Sequence, residues 1–536
     1  MADTPNAMTA QARYDSLVGE RSIPLQRARD AAKLTIPGLM PPEGKSSSMK
    51  LYTPWQSVSA RGVNNLTSKL LLALFPAGSP FFRLTMDDYV VEQLAGAAAT
   101  AGDSGDDARA TFEAALGKVE RSVMTRMEQK GIRLPLSEGF KHLVVCGNCL
   151  LQMLPKGQIL LHKLNNYVVK RDPAGDPVEI VVKQSLARMT LPERARQIVE
   201  EHDKTAPADK SGQDSVDIYT RISRRVRGSS QYWYICQEVL GTTIPGTEGS
   251  YPIDKTPWLP LRWSAVSGED YGRGFVEEYI GDVKSLESLS KSIVQIAAAA
   301  AKILFLVDEG GSTSKKKLSR AQSGDFIDGN AKDISVLMLE KFNDFRVAKE
   351  TADGIEKRLE QAFLLNSSVQ RNAERVTAEE IRFVAAELEQ AHAGSYTILG
   401  MELQRPLVIN YMAQMARDGS LPALPKKAVN PQIVTGLDAL GRTADLQKLD
   451  MLLDGVERYF GTPNSPVEEY VDASDYITRR GTALGMDTKG LVRTAQQVAA
   501  GRQQKAAQQL TEKLGPHAIK AAAGQASAPQ TAAPTS

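Results

Sequence analysis

Two amphipathic runs separated by a polar, basic loop constrain this chain more than any other stretch. In DGIEKRLEQAFLLNSSVQRNAERVTAEEIRFVAAELEQAHA, residues 353–393, Ile355, Leu359, Ala362 and Phe363 recur at helical spacing and give one apolar face. The pattern stops at Asn366, where Asn-Ser-Ser side chains compete for backbone hydrogen bonds. Thr377 and Glu380 have the spacing of a capping box, and Ile381, Val384, Ala385 and Leu388 then repeat the stripe. Between the two runs, SSVQRNAERV places Arg371 and Arg375 in a loop with little to bury them. By spacing alone this is a helical hairpin with a solvated basic tip.

Charge balance limits what such a tip can grip. Across 536 residues, 65 Lys+Arg stand against 63 Asp+Glu, a net charge of +2. A protein built to hold nucleic acid tightly shows a strong basic excess, so any such contact here is local or weak. Hydrophobic content of 42% and charged content of 24% are those of an ordinary globular chain, long enough for a large core and several domains. Three cysteines make no disulfide framework. MADTPNAMTAQARYD lacks a signal-peptide layout. The most apolar run, IVQIAAAAAKILFLV at 293–307, is interrupted by Lys302 and is shorter than a membrane span. The expectation is a soluble intracellular product with no membrane partner.

Along the chain, residues 14 to about 154 read as mainly helical. PWQSVSARGVNNLTSKLLLALFP carries Val58, Val63, Leu66, Leu70 and Leu74 on one face and stops at Pro76. A helix is expected from about Ala108 to Lys130, after an acidic linker. Asp103, Asp106 and Asp107 there lack the order of an EF-hand and read as a solvated helix start. Cys146 and Cys149, with His142 one turn earlier, are the best metal or redox candidates. A zinc site needs a fourth ligand, and only Cys236 offers another sulfur. Within FKHLVVCGNCLLQML, expected as one apolar helix, both cysteines read as small buried hydrophobes.

From Gln158 to Val266 the period changes to that of strands. Ile159–Leu161, Tyr167–Val169 and Val178–Val182 are β-rich, with DPAGDP as a turn; Val216–Ile222 and Gln231–Cys236 form a second hairpin. LPERARQIVEEH is a charged helix, DKTAPADKSGQD a flexible polar loop, and YPIDKTPWLPLRW a short strand. A long helix is expected over Tyr271–Val307, with Glu287 and Lys291 as an i,i+4 pair. Residues 308–345 turn to Gly, Ser and Lys, with SKKKLSR a solvated charge run and a β-like run at Ile334–Leu339. The helix after Ala393 is interrupted at Gly400 and Pro406, PALPKKAVNP is a linker, and helices follow to about Leu514. AAAGQASAPQTAAPTS is low in complexity and expected to be disordered. No internal repeat is evident.

Enzyme signatures are missing from the sequence. It has no G-x-x-x-x-G-K-[ST], no G-x-S-x-G and no H-E-x-x-H, and GRG at 272–274 lacks the setting of a dinucleotide site. Thr377, Glu379 and Glu380 are tempting for acid–base chemistry, but helix capping already explains two of them. The chain is expected not to be an enzyme and to use no cofactor and no metal.

The order of residues in SSVQRNAERVTAEEIRFVAAELE resembles the tunnel loop and the start of the long wing helix in portal proteins, or head-to-tail connectors, of T-seven-like short-tailed phages. TPWQSVSARGVNNLTSKLLLALFP, DYGRGFVEEYIGDVKSLE, RAQSGDFIDG and TGLDALGR resemble the same family in the same order, so the likeness runs from about Tyr14 to about Val498. It implies an α+β, mainly helical portal fold of wing, stem, clip and crown, assembled as a dodecameric ring. The implied divisions are a wing at 1–266, a first stem helix at 267–307, a clip at 308–345 and a second stem helix at 346–365. A tunnel loop at 366–376, a long kinked wing helix at 377–428, a crown at 429–514 and a tail at 515–536 complete the chain.

The same resemblance implies a DNA channel at one capsid vertex, in the virion, made in the host cytoplasm and serving packaging, head–tail joining and ejection. Ser367, Ser368, Gln370, Arg371, Asn372 and Arg375 would face double-stranded DNA, and Lys315, Lys316, Lys317 and Arg320 would form a basic patch on the clip. Implied partners are further copies of the chain, the large terminase subunit, major capsid and scaffolding proteins, tail adaptor and nozzle proteins, and internal core proteins. Two other readings stand beside it: a helical scaffold or adaptor without a channel, and a nucleic-acid enzyme.

Overall fold

The computed structural model describes residues 8–42, 50–76, 80–85, 105–205, 215–300, 304–322, 324–337, 342–365, 378–421 and 432–435, with Met451 and Asp454. The chain divides into two compact units, one of residues 1–92 and 118–439, the other of residues 93–117 and 440–536. In the second unit the described part is the beginning of the Gly105–Gln129 helix together with Met451 and Asp454, both helical.

The larger unit is built around the Val58–Leu74 helix. Val58, Val63, Leu66, Leu70 and Leu74 are all buried, as their spacing predicts. This helix packs against the Arg133–Cys146, Phe342–Ala362 and Ala378–Leu399 helices. At Gly62 a Cβ would lie 2.4 Å from Cγ of Phe363, just past the end of the Phe342–Ala362 helix. Only glycine lets the two meet there.

The two largest sheets of this unit are antiparallel. A three-stranded sheet places Asn148–Met153 between Ile159–His162 and Trp258–Arg262. A six-stranded sheet runs Tyr167–Arg171, Pro177–Ala187, Ser215–Arg227, Ser230–Val239 and Thr242–Thr243, with Gly249–Pro252 also pairing with Ser230–Val239. Val168 and Val181 pack under Tyr14 and Leu17 of the Ala10–Leu34 helix. The Glu193–Thr205 helix covers Val216, Ile218 and Val239 with Ala195 and Val199.

Four expectations need correction. FKHLVVCGNCLLQML is not one helix: it ends at Cys146, Gly147 turns left-handed at φ +76°, and Cys149 lies in the Asn148–Met153 strand. A side chain at 147 would collide with the Arg273–Gly274 backbone at 2.5 Å, so the reversal is fitted against a neighbouring segment that periodicity cannot reveal.

The Tyr271–Val307 run is likewise divided. Helices cover Phe275–Glu278 and Ile280–Ala300, and Leu304–Val307 is a strand paired with Ile334–Leu337. A short apolar run does not distinguish strand from buried helix by period, and here the partner strand decides.

Glu287 does not face Lys291. Its carboxylate accepts from Tyr52 Oη at 2.5 Å, the Trp55 backbone at 3.0 Å and the Gln56 backbone at 3.3 Å. Three donors on a nearly buried carboxylate outweigh one solvated ammonium.

The long helix is interrupted in three places rather than two. His392 leaves helical geometry at φ −135°, ψ 40°, a π turn spans Gly400–Gln404, and Pro406 opens the Arg405–Arg417 helix. Pro406 has no N–H to donate to the carbonyl of residue 402, and a π turn accommodates the lost bond. Glu402 then holds the turn to the three-stranded sheet, accepting from Arg262 Nη2 at 2.6 Å and from the Arg262 backbone at 3.0 Å.

Between the linker and the helices expected after it, Gln432–Thr435 is a strand paired with Phe82–Thr85, Phe82 opposite Thr435. Thr377, DKTAPADKSGQD from 206 on, the PALPKKAVNP linker from 422 on and the C-terminal tail lie outside the described residues.

Candidate functional site

The loop residues Ser367, Ser368, Gln370, Arg371, Asn372 and Arg375 lie outside the described residues. Both shoulders of that loop are described, and the chain ties them together. The Phe342–Ala362 helix is followed by Phe363, fully buried, and by Leu364 at φ +54°, a left-handed turn costly for a branched side chain. Asn65 Nδ2 donates to the carbonyls of Phe363 at 3.1 Å and Leu364 at 3.0 Å. Lys69, one turn further along the same helix, donates from Nζ to the Leu364 carbonyl at 3.1 Å and to Glu387 Oε2 at 3.0 Å. Leu364 precedes the loop and Glu387 follows it, so one ammonium bridges entry and exit.

Phe363 is clamped as well. Its ring meets Phe275 edge-on, centroids 5.2 Å apart, and Phe275 in turn meets His392 edge-on at 4.9 Å. The helix break at His392 and the start of the loop therefore share one aromatic cluster. Sequence reasoning missed Gly62, Asn65, Lys69 and Glu387. The one available signal was NNLTSK, polar residues at i,i+4 within an apolar helix.

The second predicted cluster belongs to a module of residues 304–337. Strands Leu304–Val307 and Ile334–Leu337 pair antiparallel, Val307 opposite Ile334. Between them, Asp333 Oδ2 accepts from the Thr313 backbone at 3.2 Å and Thr313 Oγ1 at 3.1 Å, and Thr313 Oγ1 accepts from the Asn330 backbone at 2.9 Å. Lys315, Lys316 and Lys317 are exposed on a short helix, Lys315–Leu318, and Arg320 is exposed just after it. The structure thus brings the four predicted cations together. The SKKKLSR run, expected as a loop, carries one helical turn.

Comparison with known proteins decides the family. Residues 7–492 match the family described as bacteriophage head to tail connecting protein. The chain is 41% identical over 503 residues to the portal protein of Enterobacteria phage T3, covering 93% of this chain and 91% of that protein. With the portal protein of Escherichia phage T7 it shares 40% over 505 residues, covering 93% and 90%. It is also 32% identical over 481 residues to the portal protein of Pseudomonas phage phiKMV, covering 89% and 91%. This chain belongs to the head-to-tail connecting protein family.

In this connector the cysteines are buried packing groups. Burial pushes the Cys146 thiol up to about 12 and Cys149 well above the ordinary thiol range, so neither is a thiolate at neutral pH. His142, with Nδ1 3.9 Å from Cys146 Sγ, is lowered to about 4, by burial first and then by the Lys163 charge. Among the described residues no group of three or more His, Cys, Asp or Glu stands where it would hold a metal ion. No helix among them is long and apolar enough to cross a membrane.

Proposed function

We propose that copies of this connector close into a dodecameric ring at one capsid vertex, forming the portal through which double-stranded DNA is packaged and later ejected and to which the tail is joined. The observation that carries this reading is the near end-to-end likeness to three phage portal proteins, at up to 41% identity over 93% of the chain. A ring of like subunits uses head-to-tail contacts, and a loop present once per chain becomes a girdle around the hole. Arg371 and Arg375, repeated around that girdle, meet phosphates without reading bases.

Weak grip is a requirement of such a channel. Each neutralised phosphate adds to the salt dependence and strength of binding, and a tightly held duplex does not slide. A net charge of +2 over the whole chain fits a passage that guides DNA rather than holds it. Lys69 supports this division of labour by fixing the two shoulders while the intervening residues meet the duplex.

In the same reading residues 1–266 and 377–428 are wing, 267–307 and 346–365 stem, 308–345 clip and 429–514 crown. The clip docks the packaging ATPase, the large terminase subunit, and afterwards the tail adaptor and nozzle proteins. Capsid, scaffolding and internal core proteins surround the rest, and the protein's place is the virion. The chain itself supplies positioning, not catalysis.

The test is the double variant Arg371→Ala/Arg375→Ala. Rings should form normally, while heads filled in a packaging reaction should contain shorter or poorly retained DNA. Full heads with DNA of normal length would remove the loop from the channel.

A further inference from the structure

Phe326 stands completely exposed, at 105% of its reference area. On either side, Asp325 and Asp328 are exposed, and neither is ion-paired among the described residues. Asp325 Oδ2 accepts from the Gln322 backbone at 2.7 Å, which closes the turn just before Phe326 and fixes it in this arrangement. An aromatic ring held out in water between two carboxylates gains nothing from its own chain.

The same module carries the opposite surface. Lys316, Lys317 and Arg320 are exposed and unpaired among the described residues, and Lys315 reaches Glu309 at a loose 3.6 Å. Lysine stems are apolar along their length and their heads are cationic, so a row of them suits a ring edged by carboxylates. The module also has little support of its own: its sheet has two strands, and Leu306 is 51% exposed. Isolated two-stranded sheets are marginal in water.

We propose that the Asp325–Phe326–Asp328 turn of one copy seats on the Lys315–Arg320 segment of the next copy. The two surfaces lie at different places on one module and have opposite charge. Head-to-tail contact uses each once per subunit and repeats around a closed ring. The four cations are then consumed between subunits rather than presented to a partner. This rests on the ring reading above and adds the residues that close it.

The experiment uses the full chain. Phe326→Cys and Lys316→Cys are made separately, mixed before assembly and treated with a short bis-maleimide; the native cysteines Cys146, Cys149 and Cys236 are buried. The expected result is a covalent dimer formed only in the mixture. Rings that form without that dimer, with Cys at 326 labelled freely by a maleimide dye, would overturn the contact while leaving the ring intact. Absence of rings from the unaltered chain would overturn the ring reading itself, and the contact with it.

A charge exchange gives a second readout. Asp325→Lys/Asp328→Lys and Lys316→Glu/Lys317→Glu should each raise the concentration needed for ring assembly at least tenfold. Combined in one chain, they should restore it. Assembly unaffected by either pair would also overturn the contact.

Discussion

The six-stranded sheet and the two-stranded sheet of residues 304–337 show two ways for one chain to treat β-structure. In the larger, Ile180, Val181, Val182, Ile222 and Trp233 are buried, and helices of the same chain cover it. In the smaller region, Leu306 and Phe326 stand in water, three lysines crowd one helical turn and Arg320 follows it. The first region is covered by helices of its own chain. The second leaves apolar and charged groups exposed, which the contact proposed above would cover from a neighbouring copy.

Changes elsewhere in the self-covered core, in the helices around Val58–Leu74 and the three-stranded sheet, should likewise act on folding. Phe363→Ala empties the space between Gly62 and Phe275 and should cost about 3–5 kcal/mol, read as a drop in denaturation midpoint. A loss below about 1 kcal/mol would mean that this cluster is not packed as described. Lys69→Met should cost about 2–3 kcal/mol, because the Leu364 carbonyl and Glu387 lose their common donor. It should also raise proteolytic cleavage between residues 364 and 387, which a general loss of packing would not confine there.

Acidity probes the same region more gently. His142 and His162 are both lowered to about 4, chiefly by burial, from an ordinary 6.5. The folded state prefers both neutral, so its stability is fully present above pH 6.5 and falls as pH drops toward 4. The expected loss between pH 7 and pH 4 is about 3 kcal/mol for each buried histidine. His142→Gln should flatten the profile of thermal midpoint against pH; an unchanged slope would place the effect elsewhere.

The smallest effect belongs to the other region. Lys315→Glu/Lys316→Glu/Lys317→Glu should shift the monomer's stability by less than about 0.5 kcal/mol, since exposed charges contribute little. Its consequence should appear in assembly alone. A large change in monomer melting would erase the contrast between the two sheets.

Much of the self-covered core is legible from sequence. The Val58–Leu74 stripe and the 215–239 hairpin follow from helical and strand periods, because their burial is set by near neighbours along the chain. The misses share one cause. Gly147 turns because the Arg273–Gly274 backbone lies against it, Leu304–Val307 is a strand because Ile334–Leu337 pairs with it, and Glu287 is claimed by a segment more than 230 positions away. Lys69 looks like a solvent-facing interruption until Leu364 and Glu387 are placed beside it. The loop was marked by residue order, while its anchors were hidden by distance along the chain.

The most direct measurement is electron cryo-microscopy of the purified chain, with the path of residues 366–376 traced. The expected result is a closed dodecameric ring in which Arg371 and Arg375 of every subunit line the central hole. A small species without a hole, or a ring with those arginines on its outer surface, would contradict it.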